Sequence, residues 1–390
     1  MKLLLIPPND LLRHPIPNRM YHIAKRLAKK HEIYLVSYTG HPLANPAKRR
    51  TLPVFEIPLG YAVKTNNVGL YYILNATQIY NTINQVLTNE EIHVVLHANI
   101  LPSLIAARLS KKFGIPLIYD YLDYFPESAS TYYTRAKWII EKGVWLLTAE
   151  ALKSSDVVIT PSYGLKAVVS HVAPHLPIYV IPNGVDSEVF KPTDKKSAKK
   201  EIGLDTDYYV ALLQGSIDVW IDIIQVLKVI KELRRQHDIR IAVVGFSHKK
   251  RYFELLLQYA KKLNLEKYIY TYPPQPYEKM PTFINASDVV FSPVVRKIMN
   301  FATPLKIIEA LACGVPVVAT DIPEYKLWYR YGIYTYRDHI ELKQTLNNIL
   351  LHQEDIKNHL HKHSQNIRQR FSWDCIAKEY EIILETTTKR

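Results

Sequence analysis

Lys306 and Glu309 stand three residues apart in TPLKIIEALACGVPVVATDIPEY, residues Thr303 to Tyr325. Their types and spacing point to a nucleotide. Pro304 suits the first turn of a helix, where its missing N–H would be unpaired anyway. Gly314 suits the left-handed position just past the helix end. The free N–H groups around Thr303, Pro304 and Leu305 make a cradle for a phosphate. Lys306 falls in the first turn, where a cation is unfavourable for the helix dipole unless an anion is bound nearby. Glu309 lies close enough on one helix face to reach the same ligand. A phosphate beside a carboxylate that can accept from ribose hydroxyls describes a nucleotide.

Such a helix needs a strand before it and a strand after it. The pattern supplies both throughout the chain: KLLLI, the helix-like RMYHIAKRLAKKH and EIYLVSY form a first strand–helix–strand unit of a parallel sheet. IHVVLHANIL and IPLIYDYLDYFPE are further buried strands, and YYVALLQGSIDVW and IRIAVVGF open a second set. Ligands in such sheets bind beyond the C-terminal strand ends. That rule makes Asn18, Arg19 and His97 candidates in the first half. Gly215 and Ser216 end one strand of the second half and Gly245 the next, where glycine permits close backbone approach. Tyr272 is placed to line a base or to pack as loop. Asn18 reads equally as a helix cap, and Ser162 reads as one.

Length and composition bound the rest. At 390 residues the chain has room for two domains, each with its own core. Apolar content of 48% with 22% charged residues is that of a globular protein. Cys313 and Cys375 are too far apart in sequence for a disulfide framework or zinc motif, so a cytoplasmic setting is expected. The opening MKLLLIPPND is too short in apolar residues for a signal peptide. A net charge of +14 favours polyanionic partners, and basic clusters occur at Lys25–Lys30, Lys48–Arg50 and Lys195–Lys200. No nucleic-acid motif accompanies them. Peripheral association with an anionic membrane face is the expectation they leave.

The Thr303–Tyr325 stretch resembles the nucleotide-sugar signature of family 4 glycosyltransferases. Glu309 stands at the second Glu of that signature, ALACGVPVVAT continues it, and Pro304-Leu305-Lys306 fits a branch that reads Pro-x-Lys. YVIPNGVDSEVFKP, residues 179–192, resembles the family's crossing between domains, with Phe190 able to pin the chain in a core. Asp120, Asp123, Pro126 and Glu127 resemble its acidic loop facing the sugar. The final RFSWDCIAKEYEIILE resembles its last helix. Three positions depart from the family pattern: Phe301, Ile221 and Leu122.

The resemblance implies the α/β fold called GT-B, two Rossmann-like domains facing each other across a cleft. The first would be residues 1–183 plus a C-terminal helix, about 371–386, returning to it; the second would be 184–370. It implies a retaining transfer from a nucleotide sugar, UDP- or GDP-sugar, to a lipid-linked saccharide, glycan or small molecule, without a cofactor or bound metal. Arg296, Lys297 and Lys306 would meet the diphosphate, and Glu309 the ribose. Asn18, Arg19, His97, Asp120, Asp123 and Glu127 would face the acceptor, with Asp123 touching its hydroxyl in the manner of a positioned base. Asp123 reads alternatively as a cap on the loop that follows. A non-catalytic nucleotide-sugar-binding protein on a degenerate scaffold would account for the three departures together.

Overall fold

A computed structural model describes residues 1–45, 47, 49–130, 136–246, 250–295, 301 and 304–389, with backbone alone at 246, 250 and 251. The chain divides into two compact units, Met1–Pro182 with Trp373–Arg390, and Asn183–Ser372.

The first unit is built on a seven-stranded sheet of β1 (Lys2–Ile6), β2 (Glu32–Ser37), β3 (Phe55–Pro58), β4 (Val94–His97), β5 (Leu117–Asp120), β6 (Val157–Thr160) and β7 (Ile178–Val180). Its order is β3-β2-β1-β4-β5-β6-β7, and every pairing is parallel. Parallel strands need covered crossovers, so both faces are buried and the strands read as unbroken apolar runs. KLLLI at β1 is such a run, with Leu3 to Ile6 closed to solvent.

The second unit carries β8 (Tyr209–Ser216), β9 (Ile239–Phe246), β10 (Ile269–Tyr272), β11 (Val289–Ser292), β12 (Val317–Thr320) and β13 (Ile333–Tyr336), in the order β10-β9-β8-β11-β12-β13. Alternate residues of a strand point to opposite faces. Val210, Leu212, Val290 and Val317 accordingly pack with Ile307, Ile308 and Leu311 of the helix Leu305–Ala312. Ala211, Leu213, Val289 and Val318 pack with Val226, Leu227 and Ile230 of the helix Ile223–Leu233. Both sheets reverse strand order after their first strand, at β1/β4 and at β8/β11. Those switch points are where an open α/β sheet leaves room for a ligand.

Gly245 shows how closely the strands approach at one of these ends. It lies in register with Gly215, and a Cβ at Gly245 would sit 1.9 Å from the Gly215 carbonyl oxygen. Gly215 has φ +98 with open space where its own Cβ would be. Gly245→Ala is therefore expected to destabilise by about 3 kcal/mol, the upper range of overpacking. Gly215→Ala should cost about 1 kcal/mol, for left-handed backbone alone. Thermal melting of the two variants checks the order; equal losses would rule out the steric argument.

The helix Trp373–Thr388 packs on the helix Arg19–Leu27 within the first unit. The His22 ring stacks on Trp373 at 4.8 Å, and Arg26 and Lys30 pair with Asp374 and Glu381 at 3.0 and 2.9 Å. Two of the basic clusters are thus partly structural. Lys199 is buried, lies 3.5 Å from Asp288 and donates to the Thr206 carbonyl, while Lys195 pairs with Asp288 at 2.7 Å. Phe190 is fully buried with its ring against Tyr277, so it pins the PNGVD segment within the second unit.

Candidate donor and acceptor sites

In the second unit, Pro304 is the N-cap of the helix Leu305–Ala312, with extended backbone and no side chain closing the helix start. Gly314 follows the helix with φ +74, and its neighbour Val315 bonds back to the Ala310 carbonyl. The chain then enters β12. Loop, helix, glycine turn and strand thus stand where the sequence pattern puts them.

Lys306 is half-buried and Glu309 buried, and neither makes a hydrogen bond or ion pair with another described residue. Burial pushes the Lys306 ammonium down to about 8 and the Glu309 carboxyl up to about 8. Neither shift has a charged neighbour among its causes. A half-buried lysine and a buried glutamate one turn apart, paired with no described residue, are costly to hold unless a ligand completes them. Burial keeps Glu309 mostly protonated at neutral pH, so ribose bonds to a carboxylate would require ionisation as the ligand enters. Arg296, Lys297 and Thr303 lie outside the described residues.

At the β8/β11 switch point, Ser216 Oγ, Ser292 Oγ and both amide atoms of Gln214 are buried without a hydrogen-bond partner among the described residues. Sequence reasoning named Ser216 and missed Gln214. A Gln inside an apolar strand run, immediately before Gly-Ser, was the available signal. Ile221 occupies the family's lysine position because it packs against both cores of this unit, and Asp222 caps the helix Ile223–Leu233 through the Gln225 N–H at 3.2 Å. Tyr272 proves to be packing: its hydroxyl donates to the Ile202 carbonyl at 2.9 Å and its ring meets Phe283 edge-on. Its role as a wall for the base is corrected accordingly.

The first unit changes more of the expected list. Arg19 is only 4% exposed and Asp120 0%, and they pair at 3.1 Å. Arg19 also donates to Tyr380 Oη at 2.8 Å and to the carbonyls of Pro182 and Ile181, both at 2.8 Å. Tyr380 Oη donates in turn to Asp120. The guanidinium is spent inside the unit, which corrects the place given to Arg19 at an acceptor, while Asp120 commits Oδ2 to this network and keeps Oδ1 buried without a hydrogen-bond partner among the described residues. His97 is enclosed as well, but its Nε2 is left buried without a hydrogen-bond partner among the described residues. It is fully buried against the Tyr119 ring at 4.2 Å, its Nδ1 shares a hydrogen bond with Ser103 Oγ at 2.5 Å, and burial drops it to about 3. Asn18 caps the helix Arg19–Leu27 through the Tyr21 N–H at 3.0 Å and bonds Asn9, which is its capping reading.

Asp123 and Glu127 remain. Both are half-buried, and burial raises both carboxyls. Asp123 accepts from the Tyr124 N–H at 2.8 Å and from Ser128 Oγ at 2.6 Å. Those bonds hold the carboxylate still just before the short helix Phe125–Ser130. Among the described residues, no group of three His, Cys, Asp or Glu side chains is placed to hold a metal ion.

Two parallel sheets in the same switch-point order, one with a lysine–glutamate helix between β11 and β12, are the two Rossmann-like halves of the GT-B fold. Known proteins agree. A family model described as glycosyl transferases group 1 matches residues 194–368, and one described as glycosyltransferase family 4 matches residues 16–189. The chain belongs to the family 4 glycosyltransferases. It is 31% identical over 147 residues, 37% of this chain and 32% of the relative, to the D-inositol 3-phosphate glycosyltransferase of Segniliparus rotundus. The chain spans about a third of the length of the curated relatives it matches. Sucrose-phosphate synthase from Thermosynechococcus elongatus shares the fold with a TM-score of 0.83 at 15% identity, covering 99% of both chains. The Anabaena protein HepE, solved in complex with UDP-glucose, shares it at 0.73 and 16% identity, over 99% of this chain and 100% of that one.

Proposed function

We propose that this chain transfers a hexosyl group from a UDP- or GDP-sugar to an acceptor hydroxyl with retention of configuration. The carrying observation is the Lys306–Glu309 helix: a half-buried cation and a buried acid that pair with no described residue, at a helix start whose N–H groups suit phosphate. The departing diphosphate would be stabilised by Lys306 and the helix N–H groups, where charge develops as the anomeric C–O bond breaks. Glu309 would hold the ribose hydroxyls. The acceptor oxygen would bond the anomeric carbon on the face the diphosphate leaves, and its proton would pass to the departing phosphate oxygen. Asp123, held by the Tyr124 N–H and Ser128 Oγ in the first unit, would accept a hydrogen bond from the acceptor without taking its proton. HepE, solved with UDP-glucose, makes that donor the first to try.

A panel of nucleotide sugars tests the reading by melting temperature and by release of nucleoside diphosphate. A donor at 100 times its dissociation constant should stabilise by about 2.7 kcal/mol, a shift of a few degrees. One donor should stand out, with slow hydrolysis that Glu309→Ala weakens. Stabilisation without release, even with acceptors added, would reduce the chain to a nucleotide-sugar-binding protein. No shift with any donor would remove the reading.

A further inference from the structure

The helix Lys137–Lys153, KWIIEKGVWLLTAEALK, mixes large apolar residues with lysines and glutamates, and one side of it is open. Trp138 is 68% exposed, Ile139 56% and Leu146 61%, and Lys142 and Lys153 are exposed with them. At 3.6 residues per turn these five fall within a stripe about 100° wide. Glu150 stands at its margin. The opposite side is anchored: Thr148, Ala151 and Leu152 are buried. The helix also packs on Phe125–Ser130, and Trp145 meets the Tyr124 ring at 6.1 Å.

We infer that this stripe docks on an anionic lipid bilayer. An exposed tryptophan with flanking aliphatics is the apolar half of an interfacial helix, and lysines interleaved on the same stripe are the half that meets lipid phosphates. The chain's net charge of +14 pulls in the same direction. No helix among the described residues is long and apolar enough to cross a membrane, so this one lies on the surface. Its buried side holds Tyr124, the neighbour of Asp123, which brings the acceptor loop to the lipid plane. An acceptor carried on a lipid is the substrate class that follows; that last step rests on the function proposed above, while the docking itself does not.

Co-sedimentation of the full chain with vesicles is the test. Binding is expected to phosphatidylcholine vesicles containing phosphatidylglycerol at low salt, and far less to phosphatidylcholine alone. Trp138→Ser with Leu146→Ser should weaken it about tenfold or more. Lys142→Gln with Lys153→Gln should weaken it about tenfold at low salt and little at high salt. Both variants should keep the parent's melting temperature and its release of nucleoside diphosphate without vesicles, because neither pair reaches a core or the Lys306 helix. Absence of binding by the unaltered chain, or binding by both variants as tight as that of the unaltered chain, overturns the inference. A dimer that Trp138→Ser with Leu146→Ser dissociates, with no lipid binding, would instead assign the stripe to a second copy of the chain. Loss of vesicle binding with intact donor hydrolysis, and the reverse, separate this inference from the proposed function.

Discussion

Lys306→Ala is expected to lower kcat/KM for the donor about 10²–10³-fold, the range seen when one preorganised charge-stabilising donor is removed. The ammonium is already desolvated, with burial the sole cause of its lowered value, so water offsets little of its attraction for a diphosphate. Glu309→Ala should cost less, about 10–100-fold, as a hydrogen-bonding group to a neutral sugar. The pair also sets a pH dependence whose sign is fixed. Below about 8 the empty site holds an ammonium and a neutral carboxyl; above about 8 it holds a neutral amine and a carboxylate. Its charge thus passes from positive to negative as pH rises, and affinity for nucleoside diphosphate should fall through that point. Calorimetric titration with UDP and GDP from pH 6.5 to 9.5, in steps of about 0.5, reads this directly. Glu309→Gln should keep about half of the loss, since one of the two charges no longer changes. A dissociation constant that stays level across that window would separate the pair from the phosphates.

Asp120→Ala is expected to destabilise the first unit by about 3–5 kcal/mol, the cost of leaving a buried charge without its partner. Arg19 would keep its bonds to the Ile181 and Pro182 carbonyls but lose the carboxylate 3.1 Å away. Tyr380→Phe removes a hydroxyl and should cost about 1 kcal/mol. Arg19→Met with Asp120→Leu should recover most of the single-variant loss, because an apolar pair of similar volume carries no desolvation cost. Urea unfolding midpoints followed by circular dichroism compare the three. If the double variant is as unstable as Asp120→Ala, the loss comes from packing and not from the stranded charge. The network joins the helix Arg19–Leu27, the C-terminal end of β5 and the last helix, so its loss should also free the C-terminal helix to limited proteolysis. Donor binding at Lys306 should survive, since that helix belongs to the other unit.

The donor side was legible because its signals are local. Pro304, Lys306, Glu309 and Gly314 act within one helix and its caps, so a run of residues states both conformation and chemistry. The Ser162 cap was readable for the same reason, its Oγ accepting from the Leu165 N–H three residues on.

The acceptor side was less so. Arg19, His97 and Asp120 have types and strand-end positions that suit ligand contact, and a sequence holds no record of which way such a side chain turns. The partner of Arg19 is 101 residues away and that of Asp120 is 260 residues away on the final helix. Only closure of the first unit brings those groups together, and burial then turns their hydrogen bonds onto one another. Gly245 is the same lesson in backbone. Its motif reads as room for a ligand, whereas the register of β9 on β8 makes it room for the carbonyl of Gly215. Residue order alone determined the two parallel sheets, the nucleotide helix and the family. Tertiary packing decided which of the polar residues at the strand ends remain free to meet a substrate, because that depends on distances between segments that no local pattern encodes.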